Sequence, residues 1–300
     1  MLRMAFPSGN NLGRRTEELF TEARIRIVRP GPRVYSIEFD GYEPLVGGMF
    51  IHPKRVISAV SDGDFDIGIT GSDLLREESL SRGLLTKLVA TELVYNRASD
   101  AYAEVVLYAH RDDPVRCIQH FPKGSTVLSE YPSLTREFFA KIHTPVVIEA
   151  SPGSSEAEVP SHYRFGVALK ESGESLSAND LVSVQTLMTS SAVFVVNEAA
   201  LRVKEKAEAI HVLKLLLLGA LEARNKVLLL MNVPVANREA VLQRLPALAS
   251  PTIAVLAREG FVSLSSVVSK KSLNALIPAL LQAGAQGIIS QPITTVIEQW

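Results

Sequence analysis

The sequence predicts an α/β protein with two lobes around a cleft, followed by a small domain built β-α-β-β-α-β. Three features support this. Short apolar runs alternate with helix-periodic segments through the first two thirds of the chain, as in parallel sheets with crossover helices. A strand over residues 192–197 follows the second group of these units, and its return to the first sheet implies two crossovers between lobes. Beyond residue 225 the order becomes strand, helix, two strands, helix, strand. A chain of 300 residues also exceeds the usual size of a single core, so two or three domains are expected.

The first lobe opens with a strand over 2–6, broken by the turn-like Pro7-Ser8-Gly9-Asn10-Asn11. A helix over 12–23 then sets Leu12, Leu19, Phe20 and Ala23 on one face. Pro53 suits the first position of a helix whose Val56, Ile57 and Val60 face inward and which Gly63 ends. The run DFDIGITGSD from Asp64 to Asp73 reads as a buried parallel-type strand entering a Gly-Ser-Asp helix start. The second lobe holds strands at 104–109, 126–129, 146–150 and 165–169, with a helix starting at Ser133. The expected lobes are therefore 1–91 with 181–224, and 92–180. A long helix from 198 to 224 leads to the C-terminal domain, 225–300. There, strands at 226–233, 252–256, 261–268 and 287–291 and helices at 237–245 and 272–283 give the ferredoxin-like split motif. Ligands in two-lobed α/β folds sit in the crevice at the carboxyl ends of the strands.

Composition narrows the function classes. The chain is 47% hydrophobic and 21% charged with a formal net charge of −1, which gives no electrostatic footprint for nucleic acid or an acidic membrane. Cys117 is the single cysteine, so no internal disulfide forms. The apolar stretch 215–221 falls far short of the ~20 residues that span a bilayer. The opening MLRMAF reaches Pro7 too soon for a signal-peptide apolar region, and a cytoplasmic location is expected. The six histidines show no metal-ligand spacing, so side-chain pattern alone points to no metal site. Neither a Walker A sequence nor Gly-x-Gly-x-x-Gly occurs.

The most informative stretch is RFGVALKESGESLSAND, from Arg164 to Asp180. An apolar run gives way to Glu171-Ser172-Gly173-Glu174-Ser175, and a helix-like segment begins near Leu176. A strand, a small hydroxyl-bearing loop and a helix start present backbone N–H groups to an anion, and glycine allows close approach. The plainer alternative is a solvated strand-to-helix turn with a serine cap. For Asp66 and the segment from Gly68 to Gly71, close packing of a buried strand end competes with nucleotide contact, because glycine serves both.

Six segments in order resemble the long form of ATP phosphoribosyltransferase: DFDIGITGSDLL (64–75), SEYPSLTREFF (129–139), GSSE (153–156), ESGESLSAN (171–179), LLLLGALEARNKVLLLMNVP (215–234) and SPTIAVLA (250–257). The resemblance covers nearly the whole chain. It implies two periplasmic-binding-protein-like lobes plus the ferredoxin-like domain. It also implies condensation of ATP with phosphoribosyl pyrophosphate to phosphoribosyl-ATP, the first step of histidine biosynthesis, with Mg²⁺. Carried over by position, it places phosphoribosyl pyrophosphate at Glu171, Ser172, Gly173, Glu174, Ser175 and Leu176. The nucleotide falls at Asp66, Thr70, Gly71, Glu130, Tyr131, Gly153 and Ser154, and a histidine effector at Ser250, Pro251 and Thr252. A homo-oligomer, dimer or hexamer, is implied as well, and no covalent nucleophile.

Departures from the family pattern gather at the chemistry. Ser8 and Asn11 stand where the first turn carries lysine and arginine, His52 where an arginine precedes Pro53, and Ala101-Tyr102-Ala103-Glu104 where a Gly-Arg-Cys-Arg stretch is usual. Arg164 and Ala168 replace aspartates of the strand before the loop, and Glu174 adds a negative charge. A charge-assisted bond to phosphate contributes roughly 1.5–3 kcal/mol, so losing several weakens the binding of polyanions by orders of magnitude. Arg14, Arg15, Arg33, Lys54, Arg55 and Lys170 are the candidates to compensate. The competing expectation is a non-catalytic paralogue that keeps the fold to bind a ligand or a partner. An extracytoplasmic solute-binding protein shares the two-lobe plan but not the C-terminal module.

Overall fold

A computed structural model describes residues 1–9, 11–31, 33–83, 87–95, 99, 101–246 and 250–297. The chain forms two compact units, Met1–Thr21 with Ile25–His211 and Glu22–Arg24 with Val212–Trp300.

The first unit contains both lobes. Its elements run β1 (Leu2–Pro7), α1 (Leu12–Glu22), β2 (Arg26–Val28), β3 (Ser36–Asp40), β4 (Leu45–Ile51), α2 (Pro53–Ser61), β5 (Ile67–Gly71), α3 (Ser72–Arg82) and β6 (Leu88–Leu93). Then follow β7 (Ala103–His110), β8 (Thr126–Ser129), α4 (Pro132–Lys141), β9 (Val147–Ala150), β10 (Phe165–Lys170), α5 (Glu174–Ala178), β11 (Leu181–Ser190), β12 (Ala192–Asn197) and α6 (Glu198–Leu201). The first sheet is ordered β2-β3-β4-β1-β5-β12-β6, with β4, β1 and β5 parallel and β12 antiparallel to both neighbours. Hydrophobic β1 and β5 lie in its middle, as near-continuous apolar runs must.

Strands β2, β3 and β4 and edge strand β6 are absent from the sequence-based expectation. Strand β2 has three residues, and β3 and β6 each bury only one of theirs, so neither a clean alternation nor a long apolar run marks them. In β4 a Cβ on Gly48 would lie 2.2 Å from the Met4 carbonyl oxygen, so the Gly47-Gly48 pair that obscures the strand in the sequence lets it approach β1.

The second sheet is ordered β11-β7-β10-β8-β9, with β10, β8 and β9 parallel. Residues 181–190, expected in the first lobe and without a strand, form β11 and pair antiparallel with β7. The chain therefore rejoins the first sheet at Ala192 rather than at residue 181, and residues 88–93 pair with β12 in that same sheet. Ile57 and Leu74 of the first lobe share one buried cluster with Val105, Phe139 and Phe165 of the second. The helix expected over 198–224 is two, α6 and α7 (Lys204–Arg224), the first capped by the Asn197 side chain.

In the second unit β13 (Lys226–Pro234), α8 (Arg238–Leu242), β14 (Thr252–Val255), β15 (Phe261–Ser269), α9 (Leu273–Gln282) and β16 (Gln286–Pro292) follow in order. Its antiparallel sheet is ordered β14-β15-β13-β16, the ferredoxin-like arrangement. Alternate residues of β13 and β15 are buried, Val227, Leu229, Met231 and Val233 against Val262, Leu264 and Val268. Among the described residues no helix is long and apolar enough to cross a membrane.

Candidate active site

The segments that follow the parallel strands of both lobes line one cleft of about 800 Å³. Ser8 and Asn11 come from the exit of β1, His52 and Lys54 from that of β4, Glu130 and Tyr131 from β8, and the 171–176 loop from β10. This is the crevice at strand carboxyl ends that the fold class predicts.

All six residues expected to hold phosphoribosyl pyrophosphate line it: Glu171, Ser172, Gly173, Glu174, Ser175 and Leu176. Gly173 takes φ +83° at the start of the five-residue α5, a conformation that disfavours any side chain. The Ser172 hydroxyl accepts from the Glu174 N–H at 3.4 Å, and Ser175 donates to Glu156 at 3.1 Å. Four carboxylates (Glu130, Glu156, Glu171, Glu174) and two lysines (Lys54, Lys170) face the cleft, with no arginine among the described lining residues. Lys170 is already paired with Glu104 at 3.1 Å. That ion pair, with a bond from Thr186, holds the Glu104 carboxyl below its usual range.

Glu130, Tyr131 and Ser154, expected on the nucleotide side, line the same cleft, with Gly153 beside Ser154. Tyr131 is buried, and its hydroxyl donates to Asp73 at 2.6 Å. Asp73 also accepts from Ser190 at 2.6 Å, and its N–H donates back to the Ser190 hydroxyl at 3.1 Å. Glu77 of α3 accepts from the N–H groups of Ser133 and Leu134 at 2.9 and 2.8 Å, a carboxylate cap on α4 supplied by the other lobe. Glu130 accepts from both the N–H and the hydroxyl of Ser155, at 3.2 and 3.1 Å.

Three other nucleotide candidates do not reach the cleft. Asp66 precedes β5 and so lies at its opposite end, where it accepts from the Arg3 N–H at 2.8 Å and Lys206 at 2.6 Å. It lines a separate hollow of about 480 Å³ with Asn197 and Lys206. Thr70 is fully buried and donates to the Pro53 carbonyl at 2.8 Å, tying β5 to the start of α2. Gly71 makes room: a Cβ there would lie 2.2 Å from Asp73 Oδ1.

Arg164 immediately precedes β10, at the end away from the loop, and pairs with Asp113 through contacts of 2.6 and 3.1 Å. Its replacement of an acidic residue leaves the cleft untouched, whereas buried Ala168 lines the cleft directly. Among the compensating cations considered, Lys54 and Lys170 reach the cleft, while Arg14 pairs with Glu18 on α1. In the second unit Ser250 and Thr252 are exposed and Pro251 half-buried, where the chain enters edge strand β14.

Asp73, Glu77, Ser155 and Ser190 have roles the sequence did not disclose. The Gly-Ser-Asp helix start was the signal available for Asp73, but its partners lie 58 and 117 residues away.

Comparison with known proteins agrees with this architecture. A family model described as ATP phosphoribosyltransferase matches residues 52–217, and a second, for the HisG C-terminal domain, matches 223–295. An ATP phosphoribosyltransferase of Pelodictyon phaeoclathratiforme is 32% identical over 299 residues, covering 99% of this chain and 98% of that protein. ATP phosphoribosyltransferase 1 of Geobacter sulfurreducens is 32% identical, covering 99% of each chain. The solved ATP phosphoribosyl transferase (HisG:HisZ) complex of Thermotoga maritima contains a chain sharing the fold, with a TM-score of 0.56 at 20% identity over 72% of this chain and 96% of that one. Two family models in chain order and full-length relatives at this identity assign the chain: it belongs to the ATP phosphoribosyltransferase family.

Proposed function

We propose that the cleft condenses ATP with phosphoribosyl pyrophosphate, giving phosphoribosyl-ATP and pyrophosphate, the first step of histidine biosynthesis. The observation that carries this is the adjacency of the two candidate half-sites. The 171–176 loop leaves β10 and Glu130–Tyr131 leaves β8, and these are hydrogen-bonded parallel neighbours. Parallel strands lie about 4.8 Å apart, so their exits bring a ribose C1 and a purine N1 to one point.

In this scheme the amides and hydroxyls of Ser172, Gly173 and Ser175 take the 5-phosphate, and Glu171 faces the ribose hydroxyls. Glu130 and Tyr131 set the base. Adenine N1 attacks C1 as the C1–O bond to pyrophosphate breaks, so catalysis is positioning and charge stabilisation without a covalent enzyme intermediate. Among the described residues no three His, Cys, Asp or Glu side chains converge on one metal position. Mg²⁺ would be carried by the polyphosphate with one or two carboxylates, those of Glu171 and Glu174 in the loop itself being the candidates. When bound, Mg²⁺ neutralises the departing pyrophosphate. A cytoplasmic homo-oligomer with a histidine effector near Ser250–Thr252 completes the proposal.

One observation favours a second reading. Four carboxylates and only two lysines in a cleft meant for two polyanions suit a paralogue that binds a less anionic ligand or regulates a partner. Purified protein with ATP, phosphoribosyl pyrophosphate and Mg²⁺, followed by the absorbance of phosphoribosyl-ATP, decides between them. Product formation upholds the transferase. No product at high enzyme concentration, with neither substrate raising the melting temperature, leaves the paralogue.

A further inference from the structure

The Glu130 carboxylate is held in an unusual way. Its Oε1 accepts twice from Ser155, while Oε2 has no protein donor among the described residues. Ser155 is itself fully buried, and its hydroxyl accepts from Tyr108 at 2.8 Å. Tyr108 is fully buried as well, and burial pushes its phenol well above the usual range, so it stays a donor at every physiological pH. The protons therefore run one way, from the phenol to the serine hydroxyl to the carboxylate, and each bond polarises the next.

The backbone is shaped around this chain of bonds. A Cβ on Gly166 would lie 2.3 Å from both Cζ and the hydroxyl oxygen of Tyr108, so glycine at the second position of β10 clears the space the ring occupies. The Glu130 N–H donates to the Val167 carbonyl at 3.0 Å, fixing the backbone from which the carboxylate projects. The result is a cleft carboxylate with one oxygen anchored and the other presented to whatever enters.

We propose that Tyr108 and Ser155 are positioning residues that fix Glu130 as the hydrogen-bond acceptor for the exocyclic amine of the base, so that the cleft selects a 6-amino purine over a 6-oxo purine. This rests on the reading above that the nucleotide lies on the Glu130–Tyr131 side. An adenine amine gives Oε2 a donor; a 6-oxo group faces it with a lone pair and leaves the carboxylate unmatched. Sites built to take a polar group reject analogues that lack it by up to about 10⁴–10⁵-fold. A half-buried carboxylate open to water gives less, about 100-fold.

The test is calorimetric binding of ATP and of inosine triphosphate to the full chain, with Mg²⁺, for the wild type and for Glu130→Gln, Ser155→Ala and Tyr108→Phe. The wild type is expected to favour ATP by about 100-fold. Glu130→Gln should bring the two nucleotides within about threefold, because an amide can also donate to the 6-oxo group. Tyr108→Phe, which removes a neutral hydrogen bond, should lower the ratio by about tenfold, and Ser155→Ala, which removes a bond to the carboxylate itself, by at least as much. A variant that merely loses structure weakens both nucleotides alike and leaves the ratio in place. If ATP binds and Glu130→Gln keeps the wild-type ratio, the assignment of Glu130 is wrong although the nucleotide site stands. If Glu130→Gln collapses the ratio but Tyr108→Phe and Ser155→Ala do not change it, the positioning role is wrong. If neither nucleotide binds, the underlying reading fails and this proposal with it.

Discussion

On the Glu130–Tyr131 side of the cleft, the proposed nucleotide side, Tyr131, Asp73 and Ser190 are all buried and share hydrogen bonds of 2.6 Å. On the side of the 171–176 loop, the proposed phosphoribosyl side, Ser172 and Glu174 meet at 3.4 Å, and residues 171–175 are exposed or half-buried on the approach to a five-residue helix. The first region is fixed by the fold, with contacts reaching across both lobes. The second rests on local geometry with a single buried anchor, Leu176. Buried polar groups stripped of partners cost far more than exposed ones, so substitutions on the two sides should differ in kind. On the nucleotide side they unsettle the fold and the ligand together; in the loop they change the ligand alone.

The largest effect is expected at Gly166. Alanine there drives a Cβ to 2.3 Å from the Tyr108 ring in a fully buried place. Overpacking of this kind costs about 3 kcal/mol, or a melting temperature lower by roughly 6–12 °C in a unit of this size. An unchanged melting curve by calorimetry would show that the Tyr108 pocket can relax and is not fixed. Tyr131→Phe comes next. It removes one of the donors to buried Asp73 and should cost about 1–3 kcal/mol in chemical denaturation, with weaker ATP binding alongside.

A smaller effect belongs to the far end of the second sheet. The hydrogen bond and charge of Arg164 hold the Asp113 carboxyl below its ordinary range. A depressed folded value means the pair stabilises the protein above the unfolded carboxylate range, and this is lost as pH falls through the folded value. Arg164 is half exposed, so the gain is screened and Arg164→Gln should cost no more than about 1 kcal/mol near neutral pH. The cost should vanish in acid, and nucleotide binding should not change. A loss of ATP affinity in this variant would place Arg164 in the site after all. The smallest change in stability is expected in the loop: Ser172→Ala should shift denaturation by less than about 0.5 kcal/mol. Affinity for phosphoribosyl pyrophosphate, by titration, should nevertheless fall about tenfold. A stability loss as large as that of Tyr131→Phe would erase the contrast between the two sides.

The same contrast explains what the sequence disclosed. The 171–176 loop was legible as a strand-to-helix turn because strand, Ser-Gly-Glu-Ser turn and helix start are contiguous from 165 to 178. The Glu130–Tyr131 side of the cleft was half legible: Glu130 and Tyr131 stand out beside Pro132, but Tyr108 meets Ser155 across 47 residues and Tyr131 meets Asp73 across 58. No local pattern encodes such pairs. Asp66 lies outside the cleft because it precedes β5, whereas Leu74, beyond the other end of that strand, lines it. Strand direction, at about 3.3 Å per residue, sends the two ends of β5 to opposite edges of the sheet. Likewise residues 181–190 were assigned to the first lobe without a strand, yet they form β11, which two register shifts and mixed burial fit to β7. The central parallel strands and the βαββαβ domain were clear because burial on one or both faces imposes apolar periodicity.

The most direct measurement is a crystal structure of the protein soaked with ATP, or with phosphoribosyl pyrophosphate, and Mg²⁺. The expected density puts the 5-phosphate within hydrogen-bond distance of the amides of Ser172, Gly173 or Ser175, and the purine amine against Glu130. A purine found instead in the hollow beside Asp66 and Lys206, or a 171–176 loop that stays empty at saturating phosphoribosyl pyrophosphate, would contradict the assignment of this cleft as the site of phosphoribosyl transfer.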